Sequence, residues 1–314
     1  MPGSRSCLAV LAFALVAACG GGGPGARVEA TGATPEPPSD VAPEPPQDLP
    51  GEPPPDVAQE PPTDDTPEPP QVVTLAAELV RLVLPDGETP GDPPSVLGTG
   101  RLEVSTGTGR TSLRPHLDSR IPRPAFFTPF NRGFEVGTTF ADAVSGETAS
   151  GSGRAFVVLL DGRRLELGHE RLSETVLPAS GTARYAGSYM GLVSLVGSKT
   201  YLGYITGEVT LDADFAGMTI GGEITNRAST NFELPAFAPM TLLPGPIDGA
   251  TGRFGAETSG GRLLSADPRS GPAAGTYSGL LVGAAGAEAV GNLSVLHDFD
   301  GTPAIRESGA FVAD

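Results

Sequence analysis

The sequence predicts an all-β protein in which a small β-rich domain precedes an eight-stranded antiparallel β-barrel. After Val72 the residues alternate with a period of two and show almost no helical periodicity, as where Val209 and Leu211 stand beside Glu208 and Thr210. Glycines inside the predicted strands suit the bends and bulges that a closed barrel needs. About eight strand candidates follow residue 180, and eight strands close into a barrel that side chains fill or that holds one small ligand.

An apolar segment near the N-terminus predicts a signal peptide over residues 1–18. Residues 7–18 are apolar and follow the positive charge of Arg5. This segment is too short to span a bilayer, which takes about 20 residues. Its length and its flanking charge fit the apolar core of a secretory signal peptide.

The segment Val16–Gly20 resembles the lipobox of bacterial lipoproteins, in which small residues precede a cysteine. By that resemblance Cys19 is the lipid-attachment site, becomes the mature N-terminus and carries three acyl chains, which would anchor the protein stably. The alternative is an ordinary signal peptide that is cut beside a chance cysteine. The only cysteines are Cys7 and Cys19, so the folded part has none for a disulfide, a nucleophile or a metal site.

Residues 19–71 are predicted to form a disordered tether that is first glycine-rich and then rich in proline and glutamate. Within it, glutamate recurs every eight residues from Glu36 to Glu68, and aspartate does so from Asp40 to Asp64. The many prolines exclude helix and sheet, so we expect an extended polyproline II chain with a reach of roughly 150 Å. We interpret it as a stalk that lifts a domain from a membrane. The alternatives are a repeat without function and a ligand for a proline-binding module.

Residues 72–175 are predicted to form the small β-rich domain. Its first segment, Leu75–Leu84, fits either a short helix or a strand. An Asp-Gly turn separates Phe156–Leu160 from Arg163–Leu167 and predicts a hairpin there. We expect four to six strands over residues 96–174.

Residues 176–314 are predicted to form the barrel. Apolar and polar residues alternate on both sides of an Ala-Gly turn at residues 216–217, which predicts a hairpin. Five segments resemble, in their order and spacing, strands of the transferrin-binding protein B type barrel: Gly181–Gly191, Gly207–Phe215, Met218–Asn226, Gly279–Leu293 and Gly309–Phe311.

The resemblance implies a smaller handle-like domain over residues 72–175, in front of the barrel. It also implies a lipoprotein of the outer membrane that captures a protein or a metal source at the cell surface; a periplasm-facing position is the alternative. We therefore expect an extracellular protein ligand and, as a second partner, an outer-membrane receptor or translocator. The competing class is a structural outer-membrane lipoprotein or a lipocalin-like carrier of a small ligand.

Aromatic residues and an arginine within one short segment are the candidate ligand-binding residues: Phe126, Phe127, Phe130 and Arg132. Such side chains are enriched at the hot spots of protein interfaces, and the alternative is that they pack the core of the β-rich domain. The resemblance adds two strand-tip loops, Gly197–Thr200 and Pro235–Pro246, because binding residues gather on loops that a rigid scaffold holds.

The sequence offers little that would support catalysis or metal binding. Its 3 histidines lack metal-binding spacing, and no serine stands in a nucleophile motif. We therefore expect a protein that is not an enzyme and that has no metal and no cofactor. The net charge is −17 and the single lysine is Lys199. We set nucleic acid aside as a partner, because its binding requires a basic patch.

Overall fold

The computed structural model describes a β-rich body. The described residues are 73–83, 95–96, 101–106, 109–116, 121, 123–131, 141–160, 164–196, 201–230, 234, 236–264, 273–297 and 305–314. They belong to one compact unit and form eighteen strands with one short 3-10 turn. Among them no helix has the length and apolar character needed to cross a membrane. The predicted signal peptide, Cys19 and the tether lie outside the described residues.

The first part of the chain folds into an open antiparallel sheet, called here the handle sheet. Two short strands, β1 (Thr74–Leu75) and β10 (Thr175–Val176), are not part of this sheet and, among the described strands, pair only with each other. The eight strands of the handle sheet are β2 (Glu78–Val83), β3 (Ser95–Val96), β4 (Leu102–Thr106), β5 (Gly109–Pro115), β6 (Phe127–Asn131), β7 (Ala141–Glu147), β8 (Gly153–Leu160) and β9 (Arg164–Arg171). Their order across the sheet is β2-β9-β8-β7-β6-β5-β4-β3.

Three sequence-based expectations concern this region. The segment Leu75–Leu84 contributes strands, not a helix, over its described residues, and the predicted hairpin is the pair β8 and β9. Seven strands lie between residues 95 and 171, more than the four to six predicted. The estimate was low because β3 has only two residues and β6 contains Pro129, so neither shows a readable alternation.

The second part of the chain folds into the predicted eight-stranded closed barrel, in which every strand pairs antiparallel with its sequence neighbours. Its strands are β11 (Thr182–Leu195), β12 (Tyr201–Asp214), β13 (Thr219–Ser229), β14 (Met240–Pro246), β15 (Arg253–Gly260), β16 (Ala274–Val282), β17 (Glu288–His297) and β18 (Ile305–Ala313). The last strand closes the barrel on the first, with Tyr189 opposite Phe311. The all-β fold class is therefore confirmed.

Alternation along β12 separates the barrel interior from its outer wall, as predicted. Val209, Leu211 and the following Phe215 are buried in the barrel core, whereas Glu208 and Asp212 are exposed. The interior is filled by large side chains, which include Tyr185, Tyr189, Phe254, Tyr277 and Phe311.

Aromatic rings lie directly over several glycines of neighbouring strands. A Cβ atom added to Gly309 would lie 2.2 Å from the Tyr189 ring, and one added to Gly291 would lie 2.2 Å from the Phe311 ring. The handle sheet repeats this arrangement, since Phe156 covers Gly168 at 2.3 Å. Each of these glycines leaves the space that a ring of a neighbouring strand occupies.

The handle sheet packs against the outer wall of the barrel through one shared apolar layer. The buried residues of this joint layer include Val157, Leu159 and Leu167 from the sheet and Met190, Leu280, Val290 and Val312 from the barrel. A buried polar contact crosses the same boundary: the Nδ1–H of His169 donates to Oδ1 of Asn292 at 2.9 Å, and the Asn292 amide donates to the Phe156 carbonyl at 3.0 Å. The sheet and the barrel therefore share a core.

The face assignment of β12 predicts two unequal substitutions. Phe215→Ala should lower the free energy of unfolding by about 3–5 kcal/mol, because it removes a buried ring from the barrel core. Asp212→Ala should change it by no more than about 0.5 kcal/mol, because its only described ionic contact is an exposed one to Arg184 at 3.7 Å. Urea unfolding of the whole chain measures both. Equal losses would mean that Asp212 is buried and the face assignment is wrong.

The joint layer also predicts a pH dependence. Burial lowers the pKa of His169 from 6.5 to about 4, so the folded chain keeps this histidine neutral. The unfolded chain takes up the proton as the pH falls below 6.5, and the folded chain does so only near pH 4. As the pH falls from about 6.5 to about 4, the folded state should therefore lose about 3 kcal/mol of stability through His169. Above pH 6.5 this loss is absent.

Asp142 acts in the opposite direction, because burial raises its pKa to about 6 and the folded chain gains that proton first. A comparison with His169→Gln isolates the histidine. Urea unfolding at about pH 7 and about pH 4.5 should show that the wild type loses roughly 2 kcal/mol relative to this variant on acidification. A difference between the two proteins that is the same at both pH values would contradict the burial of a neutral His169.

Candidate functional site

A charged network lies inside the barrel around Glu307 of β18. The Glu307 carboxylate is fully buried and accepts hydrogen bonds from the Tyr189 hydroxyl at 2.8 Å and from Nε2 of His297 at 2.8 Å, and it pairs with Arg227 of β13. Burial alone would raise the pKa of Glu307, but the charge of Arg227 and the hydrogen bonds from His297 and Tyr189 outweigh it and lower the pKa to about 2.

Arg227 connects this network to the chain segments at the same end of the barrel. Its Nη1 donates to the carbonyls of Ala238 at 2.7 Å and Gly261 at 3.0 Å, and its guanidinium lies 5.0 Å from the centre of the Phe237 ring. Its neighbours His297 and Glu307 are also buried. The network therefore holds strands together and offers no face to a substrate.

A groove on the outer wall of the barrel is the candidate binding site. It has a volume of about 560 Å³ and is lined by residues of β11, β12, β13 and β14, which include Arg184, Asp212, Asp214, Thr219 and Thr241. Its β11 residues are 182–184, whereas the β11 residues in the joint layer are Met190 and Leu192. The groove thus lies on the part of the wall that the handle sheet leaves open.

The wall beside the groove departs from regular pairing. The register of β13 and β14 shifts between Ile220 and Gly222, and β14 contains Pro244 and Pro246, which have no N–H group. From inside the barrel, the Tyr277 hydroxyl lies 3.1 Å from the Ile220 carbonyl oxygen and 2.6 Å from that of Leu243. Tyr277 therefore supports the groove floor where the ladder is interrupted.

The residues predicted to bind a ligand do not form one surface over the part that the structure describes. Phe126 is exposed and has a positive φ of 70°. Phe127 is buried in the joint layer, and Phe130 is buried in a separate cluster on the other face of the handle sheet. Arg132 lies outside the described residues. The site of Phe126, Phe127, Phe130 and Arg132 stays a prediction.

The predicted loop Pro235–Pro246 is largely not a loop. Residues 240–246 form β14, and Phe237 bridges to Leu263. The loop that the resemblance implied is therefore wrong over residues 240–246, where the barrel tolerates Pro244 and Pro246 in a strand with an interrupted ladder. The other loop, Gly197–Thr200, lies outside the described residues.

No cluster of three or more metal-ligating side chains occurs among the described residues.

The groove residues could not be predicted from the sequence, because the sequence of one strand does not show which strands lie beside it in the barrel wall. Arg227 was missed for a local reason: Asn226 has a positive φ of 51° and lies beside a register shift, which turns Arg227 inward against the alternation.

Comparison with known proteins adds a likeness of fold. No protein-family model and no curated protein matches the chain. Solved structures of Transferrin Binding Protein B are similar to it: a double mutant from Haemophilus parasuis Hp5, at 14% identity and a TM-score of 0.43, and the isotype 1 protein from serogroup B Neisseria meningitidis, at 17% identity and a TM-score of 0.42. Each covers 76% of this chain. The chain spans 44% and 43% of these two structures, so less than half of each.

The resemblance predicted from residues 181–314 is thus confirmed among solved structures. At these values the likeness concerns the fold, and the binding partner of this chain has to be inferred from its own surface.

The buried network predicts a large and specific loss of stability. Glu307→Gln should lower the free energy of unfolding by about 3–5 kcal/mol, because it leaves the buried Arg227 without its counter-charge. The matched control is Glu257→Gln on the exposed side of β15, with an expected change within about 0.5 kcal/mol. Urea unfolding of the whole chain measures both variants, and a small loss for Glu307→Gln would show that the pair does not hold the barrel.

Proposed function

We propose that this chain is a lipoprotein of the outer membrane, anchored through Cys19, that displays its sheet and barrel at the cell surface and binds an extracellular protein. The observation that carries the proposal is the division of the barrel into a filled interior and a grooved outer wall. A ligand therefore meets the barrel from outside, and a wide outer surface suits a macromolecule.

The tether and the joint layer support the same function in different ways. An acidic, proline-rich stalk would carry the folded body away from the membrane. The joint layer fixes the handle sheet to one side of the barrel, so the open wall is presented by a rigid body. A preorganised surface loses less entropy on binding than a mobile one. An outer-membrane receptor or translocator as a second partner belongs to this proposal.

The filled interior argues against a lipocalin-like carrier. Such a carrier needs a cavity that encloses most of its ligand, whereas aromatic side chains and the Glu307 network occupy the described interior. A purely structural lipoprotein has no need of a groove on an open wall. Affinity purification after crosslinking on intact cells separates these classes, because a bound protein supports the proposal and a co-purified lipid or pigment contradicts it.

The anchor gives the most direct test of the location. Cys19→Ala should leave the protein unprocessed or release it from the membrane fraction, because the acyl chains would be its attachment. Cys7→Ala, inside the predicted signal peptide, is the matched control and should stay membrane-bound. Protease treatment of intact cells should degrade the wild type. Unchanged membrane retention of Cys19→Ala would contradict the anchor, and full protection from protease would contradict surface display.

A further inference from the structure

The outer wall around the groove carries a net negative charge. Among the described strands β11–β14, the exposed carboxylates are Glu208, Asp212, Asp214 and Glu223, and the exposed cation is Arg184. The other arginine of these strands, Arg227, is buried and paired with Glu307 inside the barrel. The groove therefore lies in a field of negative charge that its own strands do not neutralise.

The local contacts of these carboxylates leave much of that charge available. Arg184 lies 3.7 Å from Asp212, and both side chains are mostly exposed, at 69% and 65%, so water screens the pair. One oxygen of Asp214 accepts the backbone N–H of Ala216 at 3.0 Å. One oxygen of Glu208 accepts the amide of Asn226 at 2.8 Å, and neither of these two contacts brings a positive charge.

The groove itself suits a ligand that supplies hydrogen-bond donors. Thr182, Thr219 and Thr241 line it with hydroxyl groups, and Gly221 and Gly222 add no side chain to its floor. Pro244, on the same wall, has no N–H to offer. These hydroxyl groups can accept hydrogen bonds, Arg184 is the charged donor in the lining, and the groove crosses four strands.

We propose that this groove binds a basic, extended segment of a partner protein, whose lysine or arginine side chains meet the carboxylates of the outer wall. The inference rests on the proposed function and names the chemistry of its partner. Charge complementarity of this kind speeds association and excludes partners of the wrong sign.

The same charges disfavour three other occupants. The tether of the chain itself carries eleven acidic residues and one arginine over residues 24–70, so the wall repels it. Nucleic acid and anionic lipid headgroups are repelled for the same reason.

Defined peptides test the proposal on the whole chain, extracted in detergent. The probe is a short fluorescein-labelled peptide that alternates lysine and threonine, and its counterpart replaces each lysine with glutamate. Fluorescence anisotropy should detect binding of the lysine peptide below about 1 mM and none of the glutamate peptide. Raising the salt from about 0.05 M to about 0.3 M should weaken the binding, because exposed charges are screened.

Variants of the groove identify the site. Asp212→Lys/Glu223→Lys should weaken binding of the lysine peptide by at least about tenfold, and Thr241→Trp should weaken it by filling the groove. The matched control is Glu147→Lys/Glu174→Lys, which makes the same charge change at exposed residues away from the groove and should keep most of the affinity. Urea unfolding confirms that each variant is folded.

The outcomes separate this inference from the proposed function. No binding of the lysine peptide, equal binding of both peptides, or equal weakening by the groove and control variants would each overturn the groove assignment. If intact cells still capture a protein with Asp212→Lys/Glu223→Lys in place, the proposed function stands and the groove is not its site. If the wild type captures no protein at all, the proposed function itself fails.

Discussion

The apolar layer between the handle sheet and the barrel is the contact on which the rest of the structure depends. It buries residues of β8 and β9 against β11, β16, β17 and β18, so one wall of a closed barrel is covered and the other is left open. The handle sheet would otherwise expose a broad apolar face to water, because its own second cluster lies on the opposite face. A single layer therefore stabilises the sheet and decides which barrel wall is available for binding.

Several polar groups at this layer form hydrogen bonds across the boundary, and these bonds fix how the two parts pack. His169 and Asn292 pair there, and the Tyr204 hydroxyl donates to Asp142 at 2.9 Å. Ser150 and Ser152 of the β7–β8 turn donate to Glu288 of the barrel. A shift of the sheet along the barrel would leave the buried members of these pairs, which include His169, Asn292 and Glu288, without partners, at a cost of about 1–3 kcal/mol for each. Apolar area supplies the attraction, and the hydrogen bonds select one arrangement.

The sequence predicted the parts of the fold that depend on local alternation and composition. Val209, Leu211 and Phe215 face inward, as predicted, because side chains alternate along a strand. Glu307 follows the same alternation as Ile305 and Phe311 in β18, but it was not among the predicted residues.

The features that could not be predicted from the sequence depend on long-range contacts or on irregular backbone geometry. Arg227 turns inward because of the irregularity at Asn226. The Tyr277 hydroxyl, from another strand, contacts carbonyl groups at the interrupted ladder of β14. The groove is lined by residues of four strands, so no single segment of the sequence predicts it. Phe127 and Phe130 stand three residues apart in the sequence, yet they enter different cores because an odd spacing in a strand points to opposite faces.

The folded body combines a filled barrel interior, a wall covered by the handle sheet and an open, acidic, grooved wall. Because the sheet and the barrel share a core, we expect them to unfold together. Hydrogen exchange of the whole chain across a urea series tests it, with amides of β8 reporting the sheet and amides of β17 reporting the barrel. Both sets of amides should lose protection at the same urea concentration. Loss of protection in β8 at a clearly lower concentration, while β17 stays protected, would contradict it.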